Sequence, residues 1–288
     1  MKFALGTAQF GIPYGIANTT GQVAQAEANT IIDYAKNVGI DTIDTAIAYG
    51  QSEKCIGNSG VDGWNLVTKL PEVPATCHNL ENWIRENVNN SLSNLGVRRI
   101  SGLLLHRPAQ LLESDKSGLW KILNDLKSEG VVRKIGFSIY SPHELSPLWS
   151  RYKPDLVQAP YNVFDRSLVK TGWMQELSSS GVEIHVRSIF LQGLLLMPLG
   201  SIPEKFKKWT QLLSVWDDWL VKNGLTRLQA TISFALSDPR ISRVVVGVDS
   251  LNQLKEIVGA VLEKSLDFPD DLYSSDTDLI NPSQWNSL

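Results

Sequence analysis

The chain has 288 residues, 43% hydrophobic and 20% charged, with a formal net charge of -3 and a pI of about 5.8. This composition excludes a disordered chain and leaves no basic footprint for nucleic acid. The length admits one barrel of about 250 residues as readily as two smaller domains.

The first apolar run, Phe3-Ala4-Leu5, predicts a strand that closes on Gly6-Thr7. Residues 24–37 place Ala28, Ile31, Ile32 and Ala35 on one helical face, with Gly39 as the stop. Thr42-Ile43 predicts the second strand and Leu66-Val67 the third. Residues 80–95 read as a helix carrying Trp83, Ile84, Val88, Leu92 and Leu95, ended by Gly96. Gly102 to Leu105 is the fourth strand. Residues 119–129 form a helix on Leu119, Ile122, Leu123 and Leu126, ended by Gly130. Ile135 to Phe137, Leu156-Val157, Ile184 to Val186 and Val244 to Val246 are strands five to eight. Residues 251–262 predict a helix on Leu254, Ile257, Val258 and Val261. The stretch 188–241 is too long for one strand-to-strand step and predicts an inserted loop with an extra helix. Trp209, Trp216 and Trp219 lie there at helical spacing and read as core.

Short buried runs alternating with amphipathic segments predict an α/β fold, a (β/α)₈ barrel. A doubly wound sheet is the runner-up, but Gly6 to Gly11 does not match G-x-G-x-x-G. The barrel is expected to run from about residue 3 to about residue 262, as a single domain over 1–288. The remaining tail, 263–288, is expected to lie over the active-site mouth.

In such a barrel the chemistry gathers where strands end. The runs here close on Gly6-Thr7, Asp44 (with Tyr49 beyond it), Lys69, His106, Ser138, Gln158, Arg187-Ser188 and Gly247. Asp44, Tyr49, Lys69 and His106 form a coherent proton-donating unit. A free tyrosine titrates near pH 10. The Lys69 ammonium is expected to lower that value, Asp44 to hold Lys69, and His106 to orient a carbonyl oxygen. The unit carries no hydride of its own, which implies a nicotinamide cofactor.

The segments Leu5-Gly6-Thr7, Asp44 to Gly50, Val67-Thr68-Lys69, Leu104 to Arg107, Ile135 to Ser138, Gln158 to Asn162, Gln192 to Leu195 and Val246-Gly247 occur together and in order. On these motifs the chain resembles the aldo-keto reductase superfamily. The resemblance implies NAD(P)H-dependent reduction of an aldehyde or ketone, with Tyr49 as general acid and Asp44, Lys69 and His106 beside it. It further implies that Gly6, Thr7, Asp44, Ser138, Gln158, Arg187, Ser188, Phe190, Gln192, Gly193, Gly247, Asp249 and Gln253 bind the cofactor. NADPH is the family's usual choice.

The pattern is broken at three places. Ile139 stands where an Asn is usual, and Arg187 where an aromatic ring is usual. Asp249 and Gln253 stand in the region that often carries basic residues, so NADH is an alternative. Arg187 and the polar rim lead to the expectation of a polar, sugar-like or anionic carbonyl substrate. The second reading is a non-catalytic or regulatory cofactor-binding module, motivated by Ile139 and Arg187. The third is a cofactor-independent isomerase. His78, His143 and His185 read as non-functional, and no spacing matches a metal site. Two cysteines, Cys55 and Cys77, and no apolar run of about 18 residues lead to the expectation of a cytoplasmic protein outside the membrane. It is expected to be a monomer or weak homo-oligomer, acting on a small carbonyl compound.

Overall fold

The computed structural model describes every residue except 17, 19, 117, 263–265 and 288. All eight expected runs are strands of one closed parallel barrel: β1 (Phe3–Gly6), β2 (Thr42–Asp44), β3 (Asn65–Leu70), β4 (Ile100–Leu105), β5 (Val132–Ser138), β6 (Leu156–Pro160), β7 (Glu183–Arg187) and β8 (Arg243–Gly247). Each strand pairs with the next in sequence, and β8 returns to β1 with Gly6 opposite Gly247.

The strands are buried on both faces, which is why they read as continuous apolar runs. Outward residues such as Ile43, Leu103 and Val157 join the main core beneath the helices. Val67, Leu104 and Leu156 form a separate small cluster, the plug inside the barrel. Below the plug, the buried His185 places its Nε2 2.7 Å from Glu183 Oε1.

The helices in order are α1 (Ala8–Gly11), α2 (Gln25–Asn37), α3 (Ser52–Asn58), α4 (Leu80–Leu95), α5 (Leu119–Ser128), α6 (Leu145–Trp149), α7 (Ser167–Lys170), α8 (Trp173–Ser179), α9 (Thr210–Asn223), α10 (Arg227–Ser237), α11 (Leu251–Gly259) and α12 (Thr277–Ile280). α4 starts under an Asn79 side-chain cap and stops at Gly96 in the left-handed region, so both ends were readable. α11 stops short of the expected residue 262. Val261 is 39% exposed, so its apolar side chain has no surface to extend the helix against. The insertion after β7 holds short 3₁₀ turns and α9, ahead of α10. Trp209 and Trp216 are buried there, and Trp219 stacks on Trp216 at 5.6 Å.

The tail lies against segments that follow the C-terminal ends of β6 and β7. Its end residues 263–265 and 288 lie outside the described residues. From Phe268 onward it packs against the loop after β6 and the insertion after β7. Arg166 donates to the carbonyls of Phe268 and Pro269, and Ser274 N–H donates to Phe164 O. Trp285 is buried against Phe206 at 4.6 Å, and Trp209 Nε1 donates to Asp276. None of its described residues lines the cavity described below. Among the described residues, no helix is long and apolar enough to cross a membrane.

Two glycines set the loop that carries Tyr49. A Cβ on Gly11 would lie 1.7 Å from Tyr49 O, and one on Gly50 would lie 2.6 Å from Gly11 O. Gly50 also has a φ of +56°. α1 and the Tyr49 turn therefore meet backbone to backbone. Gly11→Ala is expected to destabilise the fold by about 2 kcal/mol through overpacking and to lower turnover by displacing Tyr49. Urea unfolding and kcat measured on the same preparation check both effects.

Candidate active site

Asp44 ends β2 and Lys69 lies within β3, both pointing into the barrel top. Lys69 Nζ stands 2.6 Å from Asp44 Oδ1 and donates to Thr45 O at 2.8 Å. Gln158 Nε2 donates to the second oxygen, Asp44 Oδ2, at 2.6 Å. Thr7 holds the Asp44 carbonyl through its backbone N–H and its hydroxyl. A buried charge is tolerated only when paired and hydrogen-bonded, and both partners meet that condition.

Tyr49 comes from the turn before α3. Lys69 Nζ is 5.3 Å from its ring centroid, and the His106 ring meets it edge-on at 6.0 Å. The four residues expected at one rim are therefore together.

Their electrostatics differ from the expectation in one respect. The Tyr49 phenol is pushed well above its ordinary value, first by loss of hydration and second by the Asp44 carboxylate, with Arg187 opposing. The expected lowering by Lys69 is outweighed, because burial strips hydration from the phenol and the Asp44 carboxylate beside the ammonium opposes it. Burial in turn lowers Lys69, against the pull of Asp44. His106 is pushed down to about 3, by burial and then by Lys69, Arg187 and Arg107. At neutral pH Tyr49 is thus a protonated phenol and His106 an uncharged imidazole, each able to donate one hydrogen bond.

A cavity of about 600 Å³ opens beside this cluster. Gly6, Thr7, Asp44 and Tyr49 form its inner end. Arg187, Ser188, Phe190, Gln192 and Gly193 form one wall. Gly247, Asp249 and Gln253 lie along the β8 side. In the wall segment, Ser188, Leu191 and Gln192 adopt φ of 60°, 48° and 52°. Non-glycine residues rarely take such values, and they concentrate at functional loops. Tyr14, Asn18, Arg227 and Glu256 also line the cavity and were not foreseen. Arg227 had a readable signal, because Thr226 and Gln229 form a capping box at the start of α10.

Ser138 and Gln158 lie buried beneath the cavity rather than on its wall. Ser138 Oγ and Gln158 Oε1 are buried without a hydrogen-bond partner, and the two residues are direct register partners across β5 and β6. The Arg187 guanidinium donates to Ile139 O at 2.9 Å and Ser188 Oγ at 3.2 Å, and lies 4.7 Å from the Tyr140 ring. Ile139 itself is fully buried core. Asp249 accepts from Asn18 Nδ2 at 2.8 Å, and its N–H donates to Gln253 Oε1 at 2.8 Å. Asp249 and Gln253 are thus already tied to the protein.

Comparison with known proteins gives a consistent picture. Residues 2–271 match the model of the Aldo/keto reductase family. The chain is 24% identical to the uncharacterized oxidoreductase YqkF of Bacillus subtilis (strain 168) over 288 residues, 92% of each chain. It is 25% identical to the NADH-specific methylglyoxal reductase of Escherichia coli (strain K12), over 81% of this chain and 82% of that one. Its fold resembles the holo form of the aldo-keto reductase AKR11C1 from Bacillus halodurans, with a TM-score of 0.74 at 22% identity over 92% and 88% of the two chains.

Proposed function

The chain belongs to the Aldo/keto reductase family, and from that premise we propose that it reduces the carbonyl of a polar aldehyde or ketone with a nicotinamide dinucleotide, Tyr49 delivering the proton. The observation that carries the reading is the protonated Tyr49 and neutral His106 gathered with a compensated Lys69–Asp44 pair beside a cavity that Tyr49 and Asp44 line.

The orphaned Ser138 Oγ and Gln158 Oε1 fit a carboxamide. A hydroxyl can donate to its oxygen and an amide oxygen can accept from its nitrogen. These two residues would hold the nicotinamide, and the wall from Ser188 to Gly193 would hold the rest of the dinucleotide. When bound, the cofactor supplies the hydride. His106 donates to the substrate oxygen and orients it. Tyr49 transfers its phenolic proton to that oxygen as negative charge develops there. Asp44 fixes Lys69, and Lys69 keeps a positive charge beneath Tyr49 that stabilises the phenolate left behind.

Cofactor preference follows from charge. Asp249 and Glu256 line the β8 side of the cavity, and Arg227 is already paired with Asp217. A 2′-phosphate would meet two carboxylates and no unpaired guanidinium from this wall. NADH is expected to bind at least about tenfold tighter than NADPH, a difference of about 1.4 kcal/mol. Side-by-side tryptophan-fluorescence titrations check this, and tighter NADPH binding would reject it.

The second reading, a cofactor-binding module without turnover, draws support from Ile139, which removes one polar contact of the family pattern. Tight NADH binding with no cofactor oxidation across a broad aldehyde panel would select it.

A further inference from the structure

The rim beside Tyr49 carries two guanidinium groups gathered on one ring. Arg107 follows His106 at the end of β4, Tyr140 lies just past β5, and Arg187 ends β7. Arg107 Cζ is 4.6 Å from the Tyr140 ring centroid and Arg187 Cζ is 4.7 Å from it. The electron-rich ring attracts both cations. It thereby keeps the two Cζ atoms no farther apart than the sum of those two distances.

Among the described residues, neither guanidinium forms an ion pair. Arg187 reaches only Ile139 O and the Ser188 hydroxyl, and Arg107 has only its ring contact. The neighbouring acids are committed elsewhere. Asp44 is paired with Lys69, and the buried Asp165 bonds the Ser167 N–H and hydroxyl. The rim therefore carries, among the described residues, two guanidinium groups without an ion-pair partner beside the reacting groups. Guanidinium forks match carboxylate and phosphate oxygens in pairs. A neutral aldehyde leaves that capacity unused.

We propose that Arg107 and Arg187, held on Tyr140, form an anion subsite that selects carbonyl substrates bearing a carboxylate or phosphate a few bonds from the carbonyl. The proposal rests on the reductase reading for its chemistry, but the subsite can be measured without turnover.

The test compares 4-oxobutanoate with its methyl ester, and glyceraldehyde 3-phosphate with glyceraldehyde. The two pairs separate carboxylate from phosphate recognition. Succinate binding by calorimetry is the arm independent of turnover. For at least one pair, kcat/KM of the charged member is expected to exceed that of the neutral one by about tenfold or more, the worth of one charge-assisted hydrogen bond. The difference should lie in KM. Arg107→Gln should bring the ratio close to one and weaken succinate at least about tenfold, while Arg107→Lys should restore part of both. Charge-independent kcat/KM in both pairs, or succinate affinity unchanged in Arg107→Gln, overturns the subsite while leaving the reductase reading standing. Succinate binding that depends on Arg107, with no turnover of any aldehyde, keeps the subsite and removes the reductase reading.

Discussion

Replacing Tyr49 by phenylalanine is expected to lower kcat by about a thousandfold, within the range of a lost general acid, while leaving NADH affinity within about twofold. The substitution deletes only the phenolic oxygen. The ring stays edge-on to His106 and above Lys69, so the site keeps its shape. What disappears is the proton delivered to the carbonyl oxygen. The raised Tyr49 pKa fixes the sign of the pH dependence. The phenol remains protonated through neutral pH, so reduction should not slow there by loss of the acid. His106, pushed down to about 3, stays neutral over the same range and adds no inflection. Pre-steady-state and steady-state rates of the Phe variant, alongside its NADH titration, check this. Wild-type kcat in that variant would remove Tyr49 from the chemistry.

Lys69→Met should be the most destabilising single change in the site, costing about 3–5 kcal/mol, because it strands a buried carboxylate. Asp44 is 4% exposed, and without Lys69 its side chain keeps only the Gln158 amide. The double variant Asp44→Asn/Lys69→Met should recover most of that loss, since a neutral amide needs no counter-charge. It should stay inactive, since nothing then stabilises the Tyr49 phenolate. Urea unfolding of the wild type, both single variants and the double variant measures the coupling. Additive effects would show that the pair is not the energetic unit its 2.6 Å contact implies.

The barrel was legible because its strands are buried on both sides and show as apolar runs, and because helix ends such as Asn79 and Gly96 carry their own chemistry. The rim residues followed from the same runs, each side chain lying where a run stops. α3 was not legible. Its buried positions include Ser52 and Glu53, which bond Thr7, Thr68 and Ser91 instead of packing as an apolar stripe. The left-handed backbone of Ser188, Leu191 and Gln192 leaves no mark in residue type. Tyr140 gains meaning only when the ends of β4, β5 and β7 bring Arg107 and Arg187 to its ring. The direction of the Tyr49 shift was misread for a related reason. Sequence order places Lys69 near Tyr49, but the burial of the phenol and the distance at which Asp44 opposes Lys69 are properties of the fold. The tail's contacts were not legible because its aromatic anchors, Phe206 and Trp209, lie in an insertion whose path the sequence does not disclose.

The central claim is tested most directly by following one deuterium. NADH carrying deuterium at the transferable position of its nicotinamide is mixed with the protein and an aldehyde panel that includes 4-oxobutanoate, and the products are read by mass spectrometry. The account predicts an alcohol carrying one deuterium on the former carbonyl carbon, formed by the wild type and almost absent with Tyr49→Phe. NADH bound tightly with no deuterated alcohol from any aldehyde would contradict it and leave a cofactor-binding module. Absence of NADH binding altogether would remove both.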